Sequence, residues 1–539
     1  MKTDRTNEVW REITAGLSTD PRSGLNTGYE VCGRYADLPG MLALTVRHVD
    51  GSADKWTYAE LDRMAARASR VFAKLGLRRG DRVAALLSRQ VETWIVAIAA
   101  WRSGLVYVPL YGGFGPDALA YRLEHSHAAV VVVDHKFREN LHGALALVPS
   151  DIDVVTVAGQ GGRGMVKGDR SFWSEMDRAA ADGPEARTTA EDTATILFTS
   201  GTTGNPKSCL MPHSAFLSVL PYAKYSMGLS KKSLLFSTAD PGWAFGLYTT
   251  GAAPMSLGVP RIVYSGDFAV EAWHRVIKEE HVRTLASAPS AFRLLTQAFN
   301  KYGVPSSLRH VVGAGEPLNA TVAQEWIASG APPVYDGYGL SEVGMVLADL
   351  VVPPTGTAPG SLGNVVPGFD VRLVDQNGAE VPDGNEGRIA IMRPPYQLSN
   401  GYENVPEAWQ AKWMDDLFIT DDLARRDEAG RWHFTGRADD MIVTSGHNVS
   451  PVEVEAVIMQ QEGVVEVAVV PHQEPGRGTV VRAVIVRSPN SPPPEQLTAI
   501  LREQVATRIA RYAAPRVIDF VDSLPKTEVG KLLRRAVKR

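Results

Sequence analysis

Short β-branched runs alternate with amphipathic helical segments through most of the chain, and that alternation restricts the fold to sheets layered with helices. The stretch 58–77 puts Leu61, Met64, Ala65, Ala68 and Val71/Phe72 on one helical face, and "RVAALL" (82–87) then reads as a buried strand. "ETWIVAIAAWRSGLVYVPL" continues as a helix stopped at Gly104 and a further strand, and "AVVVVD" (129–134) and "IDVVTV" (152–157) are strands too. "GQGGRG" (159–164) reads as a loop. A chain of 539 residues is too long for one compact core, so two or more domains are expected. After Ile389 the pattern changes, and aromatic and acidic residues crowd a junction of hairpins. Beyond it, Ser450 as N-cap, Pro451 at the first helical position and Glu453 in capping-box position open a helix. Two strands, the loop "SPNSPPP" and a last amphipathic helix follow. The expected fold class is α/β, with a large multi-sheet N-terminal domain and a small α+β C-terminal domain, the boundary falling near Arg437.

Composition excludes several function classes. A formal net charge of −4 argues against a general nucleic-acid binder, which would be basic. Two cysteines, Cys32 and Cys209, cannot build a disulfide framework or a cysteine zinc site. The charged start "MKTDRTNEVWREITAG" lacks the apolar run of a signal peptide, and the longest apolar runs fall far below membrane-spanning length. A cytoplasmic enzyme without a membrane partner is expected.

The stretch "TILFTSGTTGNPKSCLMPH" (195–213) holds a Gly/Ser/Thr-rich loop closed by Lys207. It departs from a Walker A loop, because Pro206 stands where the second glycine belongs. The apolar runs on either side also predict strand–loop–strand rather than strand–loop–helix. Backbone N–H groups, the hydroxyls of Ser200, Thr202 and Thr203, and the Lys207 charge suit a polyphosphate. A solvated hairpin turn has the same composition.

The string "TSGTTGNPK" (199–207) resembles the signature of the adenylate-forming superfamily, which contains acyl-CoA synthetases, peptide-synthetase adenylation domains and beetle luciferases. Six further segments resemble that family's motifs in order: "STADPGWAFG" (237–246), "GAGEPLN" (313–319), "YDGYGLSE" (335–342), "FITDDLARRD" (418–427), "GRADDMIVTSGHNVSPVEVE" (436–455) and "LPKTEVGKLLRR" (524–535). The resemblance runs from about Tyr58 onward and points to the acetyl- and medium-chain acyl-CoA synthetase branch. It implies an acid–CoA ligase that makes an acyl-adenylate from ATP and then a thioester, rotating a mobile C-terminal domain between the two steps. The implied division is 1–436, a hinge at 437–439 and 440–539.

Residue by residue, the resemblance implies a nucleotide site of Thr199, Ser200, Gly201, Thr202, Thr203, Gly204, Lys207, Gly315, Glu316, Pro317, Asp336, Gly337, Tyr338, Asp422 and Arg437. The loop and Lys207 would take the β- and γ-phosphates, Gly315 to Pro317 and Tyr338 the adenine, and Asp422 with Arg437 the ribose. Glu342 would ligand Mg²⁺, a hard cation that takes oxygen donors, and Ser341 would reach the α-phosphate. Lys531 would bridge carboxylate and α-phosphate, neutralising charge between two anions. Trp243, Ala244, Phe245, Gly246, Gly313, Ala314 and Gly339 would line the acyl pocket. Asp439 matches the hinge, and Ser445, Gly446 and His447 the pantetheine tunnel for CoA.

Acetate-specific relatives carry a tryptophan at the position of Gly339, so a missing indole predicts a larger pocket and an acid bigger than acetate. Asp240 is a weak candidate partner for a substrate ammonium. The chain ends eight residues after Lys531, which favours free CoA over a fused carrier. Two departures stand out: "PKSC" after the lysine, and Asp421 where the family has glycine. At an effective dielectric of about 20 and roughly 6–8 Å, an uncompensated like charge costs roughly 2–3 kcal/mol, mainly against ATP. Three alternatives therefore stand beside the ligase reading. They are a ligase that only thioesterifies a preformed acyl-adenylate from a separate adenylating enzyme, an activator for a separate carrier protein, and a non-catalytic acyl-nucleotide sensor. A homo-oligomer is left open.

Overall fold

The structure, a computed structural model, describes residues 2–149, 151–199, 206–316, 318, 320–438, 440–444, 447–474, 478–526 and 532–538. Within them, two long sheets dominate the N-terminal part. The first runs in the strand order 170–171, 153–157, 128–134, 82–86, 106–110, 193–199, 207–212, and its strands are parallel except for the last pair. The second has nine strands, ordered 364–365, 344–348, 334–340, 310–314, 284–287, 235–237, 261–264, 42–47, 53–57. Parallel strands buried on both faces need near-continuous apolar runs, and "AVVVVD" supplies one: Val130 to Val133 are all fully buried.

Local chemistry accounts for the connecting helices. The helix Tyr58–Lys74 starts in a reciprocal capping box between Thr57 and Glu60 and buries Leu61, Ala65, Ala68, Val71 and Phe72 on the expected face. The helix Val91–Arg102 ends before Gly104, whose φ of +67° turns the chain into the strand Val106–Leu110. At Ser450 only half of the expected box forms: its hydroxyl accepts from the Glu453 N–H and also donates to the Thr435 carbonyl.

One element is absent from the periodic pattern. Phe245–Ala252 is a π-helix, and its Gly/Thr-rich sequence carries no apolar period. Gly246 makes it possible, since a Cβ there would lie 2.0 Å from the Asp240 carbonyl oxygen. The buried Arg261 guanidinium donates to the Thr250 carbonyl at 2.8 Å and stacks 3.9 Å from the Trp94 ring, fixing the turn from behind.

A third, antiparallel sheet is built from 371–374, 386–392, 413–414, 417–426 and 432–437. Past it lies a smaller α+β unit. The strands Val464–Glu474 and Gly478–Arg487 pair antiparallel, Val517–Val521 joins in parallel, and the helices Pro451–Met459 and Pro494–Arg508 cover the sheet. Its apolar core, from Ile442 to Ala513, is separate from the N-terminal cores. Among the described residues no helix is long and apolar enough to cross a membrane.

Candidate active site

The strands Thr193–Thr199 and Lys207–Pro212 pair antiparallel, with Thr199 opposite Lys207, so the glycine-rich loop joins two strands. That excludes the strand–loop–helix geometry of a Walker A site. Ser200 to Gly204 lie outside the described residues. The end of the loop is clamped by Asn404, whose amide donates to the Pro206 carbonyl at 3.1 Å and whose oxygen accepts from Ser208 N–H and Oγ at 3.0 and 2.9 Å. The departure "PKSC" is thereby accounted for: Ser208 serves this clamp, and Cys209 is fully buried with its thiol pushed up by desolvation.

Lys207 and Glu342 meet at a residue that sequence reasoning passed over. The Lys207 ammonium lies 4.9 Å from the centre of the Tyr402 ring, and the Tyr402 hydroxyl donates to Glu342 Oε1 at 2.5 Å. Tyr402 is 3% exposed, backed edge-on by Trp409 at 5.3 Å. Burial and the Glu342 charge push its phenol far above the ordinary range, so it stays a donor. Backbone bonds hold it in place: Leu210 N–H donates to Gly401 and Glu403 N–H to Ser208, both at 2.9 Å. Among the described residues no three His, Cys, Asp or Glu side chains cluster for a metal. A lone carboxylate fits Mg²⁺ where substrate phosphates and waters supply the other oxygens.

Asp422 is the hub of a second cluster. It accepts from the Tyr338 hydroxyl at 2.6 Å and from Arg437 Nη1 at 2.9 Å, across the register that pairs Asp422 with Arg437. Gly315 takes φ +96°, a turn that favours glycine, and Glu316 accepts from the Ser290 hydroxyl at 3.1 Å. Gly337 passes against Tyr222, where a Cβ would come within 2.7 Å of the ring. Ser341 follows the strand Val334–Leu340 and is partly exposed. Pro317 lies outside the described residues.

Asp336 is buried beside a second carboxylate. Its N–H donates to Asp349 Oδ2 at 3.2 Å, and Gly337 N–H donates to Asp336 Oδ1 at 2.9 Å. Desolvation raises Asp336 well above the ordinary carboxylate range and pushes Asp349 up to about 7. A carboxyl raised in the fold stabilises it below the unfolded value and loses that contribution as pH rises through the folded one. Through Asp349, stability should therefore fall by up to about 4 kcal/mol as pH rises from about 4 to above about 7, and Asp336 adds in the same direction. Urea unfolding at acid and alkaline pH would read it, and Asp349→Asn should flatten the slope; an unchanged slope would show that other groups set it.

The residues expected to line the acyl pocket lie at the start of the π-helix and near the ends of the strands His310–Ala314 and Val334–Leu340. Trp243, Ala244 and Phe245 keep partly exposed apolar surface, with Tyr111 and Phe114 each 5.9 Å from the Trp243 ring. Gly313 and Ala314 end the buried strand His310–Ala314. Two expectations change. The space beside Gly339 is not an empty indole site: a Cβ there would lie 2.4 Å from the Gly344 oxygen and 2.7 Å from Met345 Sδ. The size expectation loses that ground. Asp240, in turn, is engaged by Arg89 at 3.4 Å and by the Gly242 N–H at 2.8 Å, so it is not set aside for a substrate ammonium.

Asp421 is also compensated. It ion-pairs with Lys412, and Arg437 Nη2 stands 3.5 Å from the same oxygen. It lies in the strand Leu417–Arg426 where the register with the neighbouring strand shifts, yet its φ is not positive, so the position needs no glycine dihedral. The electrostatic ground for an impaired ATP step is removed. In the C-terminal unit, Asp439, Ser445, Gly446 and Lys531 lie outside the described residues. The His447 backbone pairs with Thr444 in a short hairpin. The neighbouring Lys526 ion-pairs with Glu466 at 2.5 Å.

Comparison with known proteins agrees with this geometry. Residues 35–403 match the family model described as AMP-binding enzyme, and residues 453–531 match the AMP-binding enzyme C-terminal domain. The acetyl-coenzyme A synthetase of Bacillus subtilis (strain 168) is 31% identical over 538 residues, spanning 98% of this chain and 93% of that protein. The mitochondrial acyl-coenzyme A synthetase ACSM4 of Rattus norvegicus is 33% identical over 505 residues, 91% of this chain and 85% of that protein. A crystal structure of the Brucella canis acyl-CoA synthetase superposes with a TM-score of 0.77 at 33% identity, covering 98% of this chain and 96% of that one. The chain belongs to the AMP-binding, adenylate-forming enzyme family, in its acyl-CoA synthetase branch.

Proposed function

We propose that this protein is an AMP-forming ligase that converts a carboxylic acid larger than acetate to its CoA thioester. Carboxylate attack on the α-phosphorus of ATP releases pyrophosphate and leaves a mixed anhydride with AMP. The CoA thiol then attacks the acyl carbon and AMP departs. The observation that carries the reading is the Tyr402 ring, which brings the loop lysine Lys207 and the acidic Glu342 to one point.

In this reading Lys207 and the preceding loop hold the outer phosphates, Glu342 holds Mg²⁺, and Tyr338, Asp422 and Arg437 hold adenine and ribose. Mg²⁺ would supply neutralisation of phosphate charge as pyrophosphate leaves. Lys531 is delivered for the first step by a turn of the C-terminal unit about 437–439, and Ser445, Gly446 and His447 line the thiol's path in the second. In place of Gly339, the partly exposed Trp243, Ala244 and Phe245 support the larger-than-acetate reading, because their apolar walls favour an aliphatic or aromatic acid over acetate.

A panel of acetate, butyrate, octanoate and benzoate, assayed separately for AMP release and thioester formation, tests this. At least one larger acid should exceed acetate in kcat/KM by about 10-fold, the scale of added apolar contacts. Preference for acetate would sink the size assignment. Conversion of synthetic acyl-adenylates, with no acid activated by ATP, would sink the ATP step.

A further inference from the structure

Asp421 places a second carboxylate next to Asp422 at the ribose end of the site, and two cations answer the two acids. Burial alternates along the strand Leu417–Arg426, with Asp422 buried and Asp421 partly exposed. Arg437 nevertheless reaches both, with Nη1 at 2.9 Å from Asp422 and Nη2 at 3.5 Å from Asp421. Lys412 approaches Asp421 from the turn before Trp413–Met414, where its carbonyl accepts the Ile419 N–H at 2.8 Å. The Lys412 side chain is 19% exposed and that of Asp421 34%. A mostly desolvated ammonium cannot rely on water and needs its carboxylate.

We infer that Lys412 is a positioning residue for ATP: it neutralises Asp421, holds that carboxylate back from the phosphates and leaves Arg437 to Asp422. The inference rests on the ligase reading above. With Lys412 present the group of four carries no net charge. Without it, one negative charge faces the polyphosphate, and Asp421 competes with Asp422 for the single guanidinium. An acyl-adenylate carries less charge than ATP, so the loss falls on the first half-reaction.

The test is a double-mutant cycle of Lys412→Met and Asp421→Gly, with ATP affinity measured by direct titration and by KM in pyrophosphate exchange. Transfer from a synthetic acyl-adenylate to CoA and thermal unfolding are followed in parallel. Lys412→Met should weaken ATP roughly 10- to 30-fold, as expected for one uncompensated charge at about 7 Å after partial screening. KM for the acid and use of the acyl-adenylate should change less than about 3-fold, since neither brings the polyphosphate to Asp421. Asp421→Gly, which frees the ammonium, should bind ATP at least as tightly as wild type. The double variant should return to within about 3-fold of it. The Lys412→Met defect should shrink in high salt.

An unchanged ATP affinity in Lys412→Met overturns the inference, and so does a double variant as weak as Lys412→Met. A wild type that binds ATP but activates no acid overturns the ligase reading alone, because the binding cycle still reads Lys412.

Discussion

Lys531→Ala is expected to slow pyrophosphate exchange by about 100- to 1000-fold, the usual loss when a donor to developing charge is removed. Transfer from a synthetic acyl-adenylate to CoA should stay within about 3-fold of wild type. The split follows from the charges. The first step pushes a carboxylate onto an anionic phosphate, and a cation between them lowers that repulsion. The second begins with a neutral thiol and a mixed anhydride already formed, and has no such repulsion to relieve. Lys526 is the matched control: it is held by Glu466 at 2.5 Å, and its alanine variant should leave both rates nearly intact. Equal losses of both half-reactions in Lys531→Ala would show that the residue supports the domain rather than the first step.

Tyr402→Phe should lower the rate of acid activation by about 10- to 100-fold and raise the Mg²⁺ concentration needed for half-maximal exchange, as removal of a partner that orients a metal-binding carboxylate does. The substitution keeps the ring under Lys207 and removes only the hydroxyl that donates to Glu342. Tyr402→Ala also removes the ring, so its defect should be larger and its thermal stability lower, because Tyr402 packs against Trp409 in a buried cluster. Pyrophosphate exchange across a Mg²⁺ titration separates the two variants. A Tyr402→Phe enzyme with an unaltered Mg²⁺ requirement would remove Tyr402 from any role in orienting Glu342.

What could be read from sequence was local. The apolar face of the helix Tyr58–Lys74, the stop at Gly104 and the two strands around the glycine-rich loop each follow from periodicity or one residue's backbone preference. The motif order implies one site for Lys207, Tyr338, Glu342, Asp422 and Arg437, and the structure joins Lys207 with Glu342 through Tyr402 and Tyr338 with Arg437 through Asp422. Tyr402, Asn404 and Lys412 were not legible, because each acts on a partner chosen by tertiary folding. Tyr402 and Asn404 sit in a stretch that reads only as a junction of hairpins. Asp421 taken alone is a repulsive charge; with Lys412 and Arg437 beside it, it is one member of a neutral group. Gly339 teaches the opposite lesson, since the direction a side chain would take there is blocked by the Gly344 carbonyl and Met345. The π-helix Phe245–Ala252 escaped because its shape depends on Gly246 passing a carbonyl and on Arg261 arriving from another strand.

The strand Lys207–Pro212 ends its sheet, and its outer side bonds to residues 400–403. A ribosome delivers that cover only after it has made almost two hundred further residues. Until then the growing chain carries an open strand edge, the kind of surface on which unfinished chains stick to one another. The Asn404 brace on the end of the glycine-rich loop and the seal on this edge are thus completed in the same late event, so the loop is fixed and the edge protected from misassembly together.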